Sequence, residues 1–271
     1  MPAPEQPIGI FDSGLGGLTV THALKQLLPN EHVIYFGDTK HLPYGDKSAE
    51  SIKYYSTHIT GFLLDQGCKM VLVACNTASA TAYEDVIAKV GEKALVMNVI
   101  EPVIDHVTLS DASFTLGVIG TKGTITSKTY ENNIREKKPG VTVKSMATPL
   151  LVPMIEEGFI YDDISNAIIR NYLSREEISG IDKLILGCTH YPIIKNQIRK
   201  YYNFQVDIID SATVVAAAVK AMLEKHQLLN QEKTHDGHYF VSDYTGYFSA
   251  IARMFFEEDI HLEKLDIWSK E

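Results

Sequence analysis

Gly9-Ile-Phe-Asp-Ser-Gly14 is a short apolar run that closes in an acid and small turn-forming residues, and Gly117-Val-Ile-Gly-Thr-Lys122 repeats its form in the second half of the chain. Both read as a buried strand running into a tight turn. Outward from these, the strand at Val33 starts 24 residues after Gly9, and the strand at Val141 starts 24 residues after Gly117. Val71-Leu-Val-Ala-Cys-Asn-Thr77 and Leu184-Ile-Leu-Gly-Cys-Thr-His190 then match in character, their cysteines 66 and 71 residues beyond the opening glycines. Three landmarks in one order at near-equal spacing predict two similar units.

Between these strands lie segments of helical period. Strands are expected at 8–12, 33–37, 70–75, 95–99, 114–119, 141–145, 184–187 and 206–209, and helices at 18–28, 49–65, 78–89, 125–135, 162–173, 193–201 and 212–225. Such alternation implies right-handed βαβ units. The predicted fold is α/β: two similar doubly wound domains with mostly parallel sheets and an active-site cleft between them. The segment after Asp210 adds a long helix and strand residues near 239–241, which predicts its return to the first domain. The expected division is 1–98 plus 211–271 for the first domain and 99–210 for the second.

Composition narrows the function. The chain has 271 residues, 45% hydrophobic and 22% charged, as in a globular protein of one large or two modest domains. Its net charge of −9, with no basic cluster, argues against nucleic acid as a partner. The longest apolar runs are strand-sized, so no membrane span is expected. The N-terminus MPAPEQPI lacks the pattern of a secretory signal, which points to a cytoplasmic location. Three cysteines without a C-x-x-C pair argue against a disulfide framework or structural zinc site.

Cys75 and Cys188 each fall at a strand-to-helix junction, where ligands bind in open α/β sheets. A helix N-terminus favours the thiolate, so either sulfur is expected to serve as a base near neutral pH. Two thiols facing a ligand from opposite sides suit stereoinversion at carbon: one removes the α-proton while the other protonates the opposite face. Hydroxyls and amides of Ser13, Asn76, Thr77 and Thr189, with the N–H groups of the glycine turn, suit carboxylates. Asp12 can accept from a substrate ammonium.

Four stretches, Ile8-Gly-Ile-Phe-Asp-Ser-Gly-Leu-Gly-Gly17, Leu42-Pro-Tyr-Gly45, Val73-Ala-Cys-Asn-Thr-Ala-Ser-Ala80 and Leu186-Gly-Cys-Thr-His-Tyr-Pro192, closely resemble the glutamate racemases of the aspartate/glutamate racemase superfamily. Gly120-Thr-Lys-Gly-Thr-Ile-Thr-Ser-Lys-Thr-Tyr130 and Leu151-Val-Pro-Met-Ile-Glu156 extend the resemblance over nearly the whole chain. It implies a two-domain, cofactor-independent isomerase that interconverts L- and D-glutamate for peptidoglycan synthesis. By similarity Cys75 takes the α-proton from D-glutamate and Cys188 from L-glutamate. Asp12, Ser13, Tyr44, Gly45, Asn76, Thr77, Thr189 and His190 would line the substrate site. His190 and Asp12 would assist the thiols, with Glu156 or its neighbour Glu157 as a further candidate. A homodimer is expected, because family members commonly associate. After Asn98-Val-Ile-Glu-Pro102 the chain departs from many relatives in placing Val103 where they have glycine, which leaves the local loop shape open.

Other readings compete. Gly14-Leu-Gly16-Gly17 with Asp38 suggests a dinucleotide fingerprint, but Thr19 stands where its last glycine belongs. Cys68 lacks a partner motif and reads as a small core residue. His235-Asp-Gly-His238 reads as a polar turn, and no metal is assigned. Aspartate racemisation, a cysteine hydrolase using Cys188 and His190, and an amino-acid-binding sensor are the alternatives, and the last two leave Cys75 or both thiols without a task.

Overall fold

A computed structural model describes residues 2–109, 113–232, 237–256 and 260–269. The chain begins β1 (Ile8–Asp12), α1 (Leu18–Leu27), β2 (Val33–Gly37), α2 (Ala49–Asp65), β3 (Met70–Val73), α3 (Asn76–Val90) and β4 (Leu95–Asn98). After α4 (Glu101–Thr108) it runs through β5 (Thr115–Gly120), α5 (Lys122–Thr126), α6 (Thr129–Lys137), β6 (Thr142–Ala147), α7 (Leu151–Glu156) and α8 (Asp163–Leu173). It ends with β7 (Lys183–Gly187), α9 (Lys195–Tyr201), β8 (Asp207–Ile209), α10 (Ser211–Lys225), β9 (His238–Val241), α11 (Gly246–Phe256) and β10 (Leu262–Lys264).

Two sheets form, and every strand pair in them is parallel. The six-stranded sheet has the order β10-β9-β2-β1-β3-β4 and the four-stranded sheet the order β6-β5-β7-β8. Without β10 and β9 the first order, β2-β1-β3-β4, is the second one repeated, which bears out the α/β fold of two similar sheets. In each, the order reverses between the first and third strands, so the crevice for a ligand opens where β1 and β3, or β5 and β7, end.

Burial explains the strand sequences. β1, β2 and β3 are buried at every position because helices cover both faces, so they read as continuous apolar runs instead of alternating ones. On one face α1 packs against α10, and on the other α2 packs against α3. Leu18, Val20 and Leu24 share a core with Val215, Val219 and Leu223. Ile52, Ile59 and Leu63 share another with Ala78, Ala82 and Val86. At the opposite end of the first sheet from the crevice, the buried ion pair Lys69–Glu31 (2.6 Å) is held by the Leu228 carbonyl and Asn230 N–H, tying the exit of α10 to the first lobe.

Three expectations change. The helix expected over 125–135 is two helices, α5 and α6, because Lys128 takes a left-handed conformation (φ 56°) between them. The segment expected to start a helix at Ile193 begins as a 3-10 turn at Tyr191 and becomes α-helical only at Lys195. Val103 lies within α4, fully buried against Ile104, Leu116 and Val118, so its side chain is a core contact and not a loop variant. Among the described residues no helix is long and apolar enough to cross a membrane.

Candidate active site

Cys75 leaves β3 as the N-cap of α3, with its Sγ accepting from the Ala78 N–H at 3.5 Å. The helix terminus does not make it a ready base. Burial pushes the thiol up to about 12, and the Asp12 carboxylate adds to this, while the Ala78 N–H and the Ser13 hydroxyl pull the other way. The expectation of a thiol usable near neutral pH is therefore corrected for Cys75 in the free protein, because desolvation outweighs the helix end.

Asp12 terminates β1 and is fully buried. Its Oδ2 accepts from the Gly14 and Gly17 N–H groups, both at 3.1 Å, and Oδ1 accepts from Thr189 Oγ1 at 3.4 Å. Burial raises its pKa, partly offset by the charge of His190 and by the N–H donors. The turn after Asp12 presses against the second lobe. A Cβ at Gly16 would lie 2.4 Å from His190 Nδ1 and 2.5 Å from Thr189 Oγ1, so this approach requires glycine.

Cys188 follows β7, and its Sγ lies 3.7 Å from His190 Nδ1. The other ring nitrogen, Nε2, contacts Glu156 Oε1 at 3.0 Å, and Phe255 of α11 meets the ring edge-on. Burial alone would lower the His190 pKa. Its hydrogen bonds to Cys188 and Glu156 overcome this and hold it well above the ordinary value, which favours the protonated ring. Glu156 ends α7 half-buried, whereas Glu157 is exposed, which settles which of the two meets His190.

Cys75 and Cys188 line one small cavity. Ser13, Tyr44, Gly45, Asn76, Thr77, Thr189 and His190 line it with Cys75 and Cys188. Asp12 and Glu156 stand behind that lining. Tyr44 is buried, and its hydroxyl donates to Asp38 Oδ2 at 2.7 Å. Asp38 also takes the Ser242 hydroxyl (2.8 Å) and His41 Nδ1 (2.9 Å), so the acid of the dinucleotide fingerprint instead anchors the loop carrying Tyr44.

Pro43, Thr121 and Val152 also line the cavity and were not among the residues singled out. Thr121 had a readable signal: in the internal repeat Gly9 aligns with Gly117, which places Thr121 opposite Ser13. Its Oγ1 meets Thr77 Oγ1 at 2.8 Å across the cleft. Tyr130 likewise crosses it, donating to Asn76 Oδ1 at 2.8 Å.

The remaining candidates lie elsewhere. Cys68 is buried near Gly9, and burial pushes its thiol up to about 12. Of the His235-Asp-Gly-His238 turn, His235 and Asp236 lie outside the described residues, and His238 opens β9. Among the described residues no cluster of three or more His, Cys, Asp or Glu is arranged to hold a metal ion.

Known proteins share this chain's sequence and form. A curated glutamate racemase of Chlorobaculum parvum is 43% identical over 250 residues, 92% of each chain. One of Geobacter metallireducens is 42% identical over 253 residues, 93% of each. The crystal structure of glutamate racemase from Francisella tularensis in complex with D-glutamate superposes with a TM-score of 0.91 at 38% identity, covering 98% of this chain and 99% of that one. The profile of the Asp/Glu/Hydantoin racemases matches residues 8–219, a span that includes both thiols, and the chain belongs to that family.

Proposed function

We propose that this chain is an isomerase that interconverts L- and D-glutamate by two-base proton transfer between Cys75 and Cys188, without an organic cofactor or a metal. The observation that carries the reading is the pair of thiols at equivalent positions of two similar sheets, both lining one cavity. The relatives named glutamate racemase, one of them holding D-glutamate, support the choice of substrate.

In the free protein Cys75 is protonated, and His190, whose protonated form is favoured, lies beside Cys188 with Nδ1 3.7 Å from Sγ. This arrangement is set for L-glutamate. The Cys188 thiolate takes the α-proton and becomes a thiol, while the C–H electron pair spreads into the substrate carboxylate. Cys75 then gives its proton to the opposite face, forming D-glutamate and leaving the Cys75 thiolate. The reverse reaction exchanges the roles.

Without a cofactor as electron sink, the site must stabilise a carboxylate of growing negative charge through fixed donors. Ser13, Asn76, Thr77, Thr121 and Thr189 supply hydroxyls, an amide and neighbouring N–H groups around the cavity. The substrate ammonium offsets the buried charge of Asp12 and favours the thiolate form of Cys75 when its turn comes. A hydrolase reading gives Cys75 no task, and a binding protein needs neither thiol.

The same reading divides the chain into 1–98 plus 211–271 and 99–210, makes it a cytoplasmic homodimer, and gives its product to peptidoglycan synthesis. The test is L-glutamate with the purified protein in deuterated buffer and no added cofactor, followed by circular dichroism and the α-proton NMR signal. Loss of optical activity as deuterium enters the α-carbon is the expected result. Folded, reduced protein that changes neither signal overturns the reading, and aspartate run in parallel separates the two substrates.

A further inference from the structure

Among the described residues Asn76 holds a buried donor without a partner. The residue is 2% exposed, Oδ1 accepts from the Tyr130 hydroxyl at 2.8 Å, and Nδ2 has no hydrogen-bond partner among the described residues. A buried N–H group left unmet is costly, and such groups in native proteins ordinarily have an assignment. Here the residue lines the cavity between Cys75 and Cys188.

The orientation of the amide is set from the other lobe. Tyr130 lies on α6, buried among Val118, Ile134 and Ile185, with its ring packed close to Gly187, next to Cys188. A tyrosine hydroxyl can donate or accept, so Asn76 could in principle present either end of its amide. With Oδ1 held by Tyr130, the end of the amide left unpaired is the donor. With the amide reversed, a carbonyl oxygen would face two sulfurs and an anionic substrate, and repel both.

We propose that Tyr130 is a positioning residue: its hydroxyl locks the Asn76 amide across the cleft so that Nδ2 donates to a carboxylate of the bound amino acid. The inference rests on the racemase reading and adds to it the element that orients one carboxylate donor. Tyr130 does not touch the substrate. Its effect falls on kcat/KM, because a donor to the carboxylate counts in the ground state and counts more as negative charge grows in the transition state.

The test compares wild type, Tyr130→Phe, Asn76→Ala and the double variant on both glutamate enantiomers, with melting temperatures as the check on folding. Tyr130→Phe keeps the ring, and it is expected to lower kcat/KM about five- to tenfold with both enantiomers, the size of one hydrogen bond. Adding it to Asn76→Ala is expected to change nothing further, since its target is gone. In ¹⁵N-labelled protein, the Asn76 side-chain amide signal is expected to shift on D-glutamate binding in wild type, and to broaden or double in Tyr130→Phe without ligand. An unchanged kcat/KM in Tyr130→Phe, or effects that multiply in the double variant, overturns the proposal while leaving the racemase reading intact. Wild-type protein that neither binds nor turns over glutamate overturns both.

Discussion

The two strand ends that frame the cavity are equivalent in topology and opposite in electrostatics. Cys75 and Cys188 follow the third strand of each sheet, but the residues around them diverge. The repeat aligns Asp12 with Gly120, Asn76 with Thr189, and Thr77 with His190. The first lobe thus places a buried carboxylate near its thiol, and the second places an imidazolium backed by Glu156. A repeated fold supplies two opposed positions of the same kind. The substitutions around them determine that one sulfur rests as a thiol while the other has a cation beside it, and the proposed proton transfer needs one thiol and one thiolate in either direction.

The strongest challenge to this comparison is removal of either sulfur. Cys75→Ser and Cys188→Ser should each lower racemisation by about 10³-fold or more, because a positioned acid or base is worth about 10²–10⁴-fold and the hydroxyl is a far weaker acid. The sharper readout is exchange. Each single variant should lose α-deuterium exchange chiefly with the enantiomer whose proton the missing thiol takes: D-glutamate for Cys75 and L-glutamate for Cys188. Equal residual exchange with both enantiomers in both variants would contradict opposed bases.

Asp12→Asn comes next, and it separates catalysis from stability. The amide oxygen can still accept from Gly14 and Gly17, but the charge proposed to offset the substrate ammonium is gone. We expect kcat/KM to fall by about 10²-fold. Stability should move the other way. The folded-state pKa of Asp12 is raised, so the folded protein prefers it protonated, and its contribution to stability is lost as pH rises through that value. The variant escapes this loss, and at neutral pH it should melt about 2 °C or more above wild type, with the gap shrinking toward pH 4. A variant that melts lower at pH 7 would mean that the attraction of His190 outweighs the burial cost.

His190→Asn should cost about tenfold in kcat/KM, and equally in both directions, since the equilibrium constant of a racemisation is one. The asymmetry of the lobes should emerge in isotope effects instead. With the imidazolium gone, proton removal by Cys188 becomes more rate-limiting, so the primary deuterium effect should grow for L-glutamate and shrink for D-glutamate. A change of the same sign for both enantiomers would show that His190 does not belong to one thiol.

Much of this arrangement was legible in the sequence, and the losses have physical causes. β1, β2 and α2 were read to the residue, since a doubly covered strand is a continuous apolar run and α2 opens with Ser48 as its cap. The short helix α7 was not assigned, because six residues with Pro153 inside give too little period to read. It carries Glu156. α11, whose Phe255 meets His190, is rich in aromatic residues that favour strands as much as helices. Both thiols and most cavity residues could be named from motifs and repeats. The protonation of Cys75 could not, because burial depends on the whole fold and opposes the local helix end.

Glu156→Gln is the mildest change and tests the outer layer of the second lobe. The side chain stays in place and can still hydrogen-bond to Nε2, but it no longer supplies the charge that helps hold His190 protonated. A histidine whose folded pKa lies above its unfolded value of about 6.5 contributes stability that is full below that value and lost as pH rises through the folded one. Wild type should therefore melt about 2–4 °C above Glu156→Gln at pH 6, and the two should converge toward pH 9. The activity profile should move with it: the imidazolium beside Cys188 is lost at lower pH in the variant, so the alkaline fall in L-glutamate turnover should begin earlier. A variant whose melting gap is independent of pH would show that Glu156 holds α7 in place by packing alone, and the cation beside Cys188 would then rest on the Cys188–His190 pair.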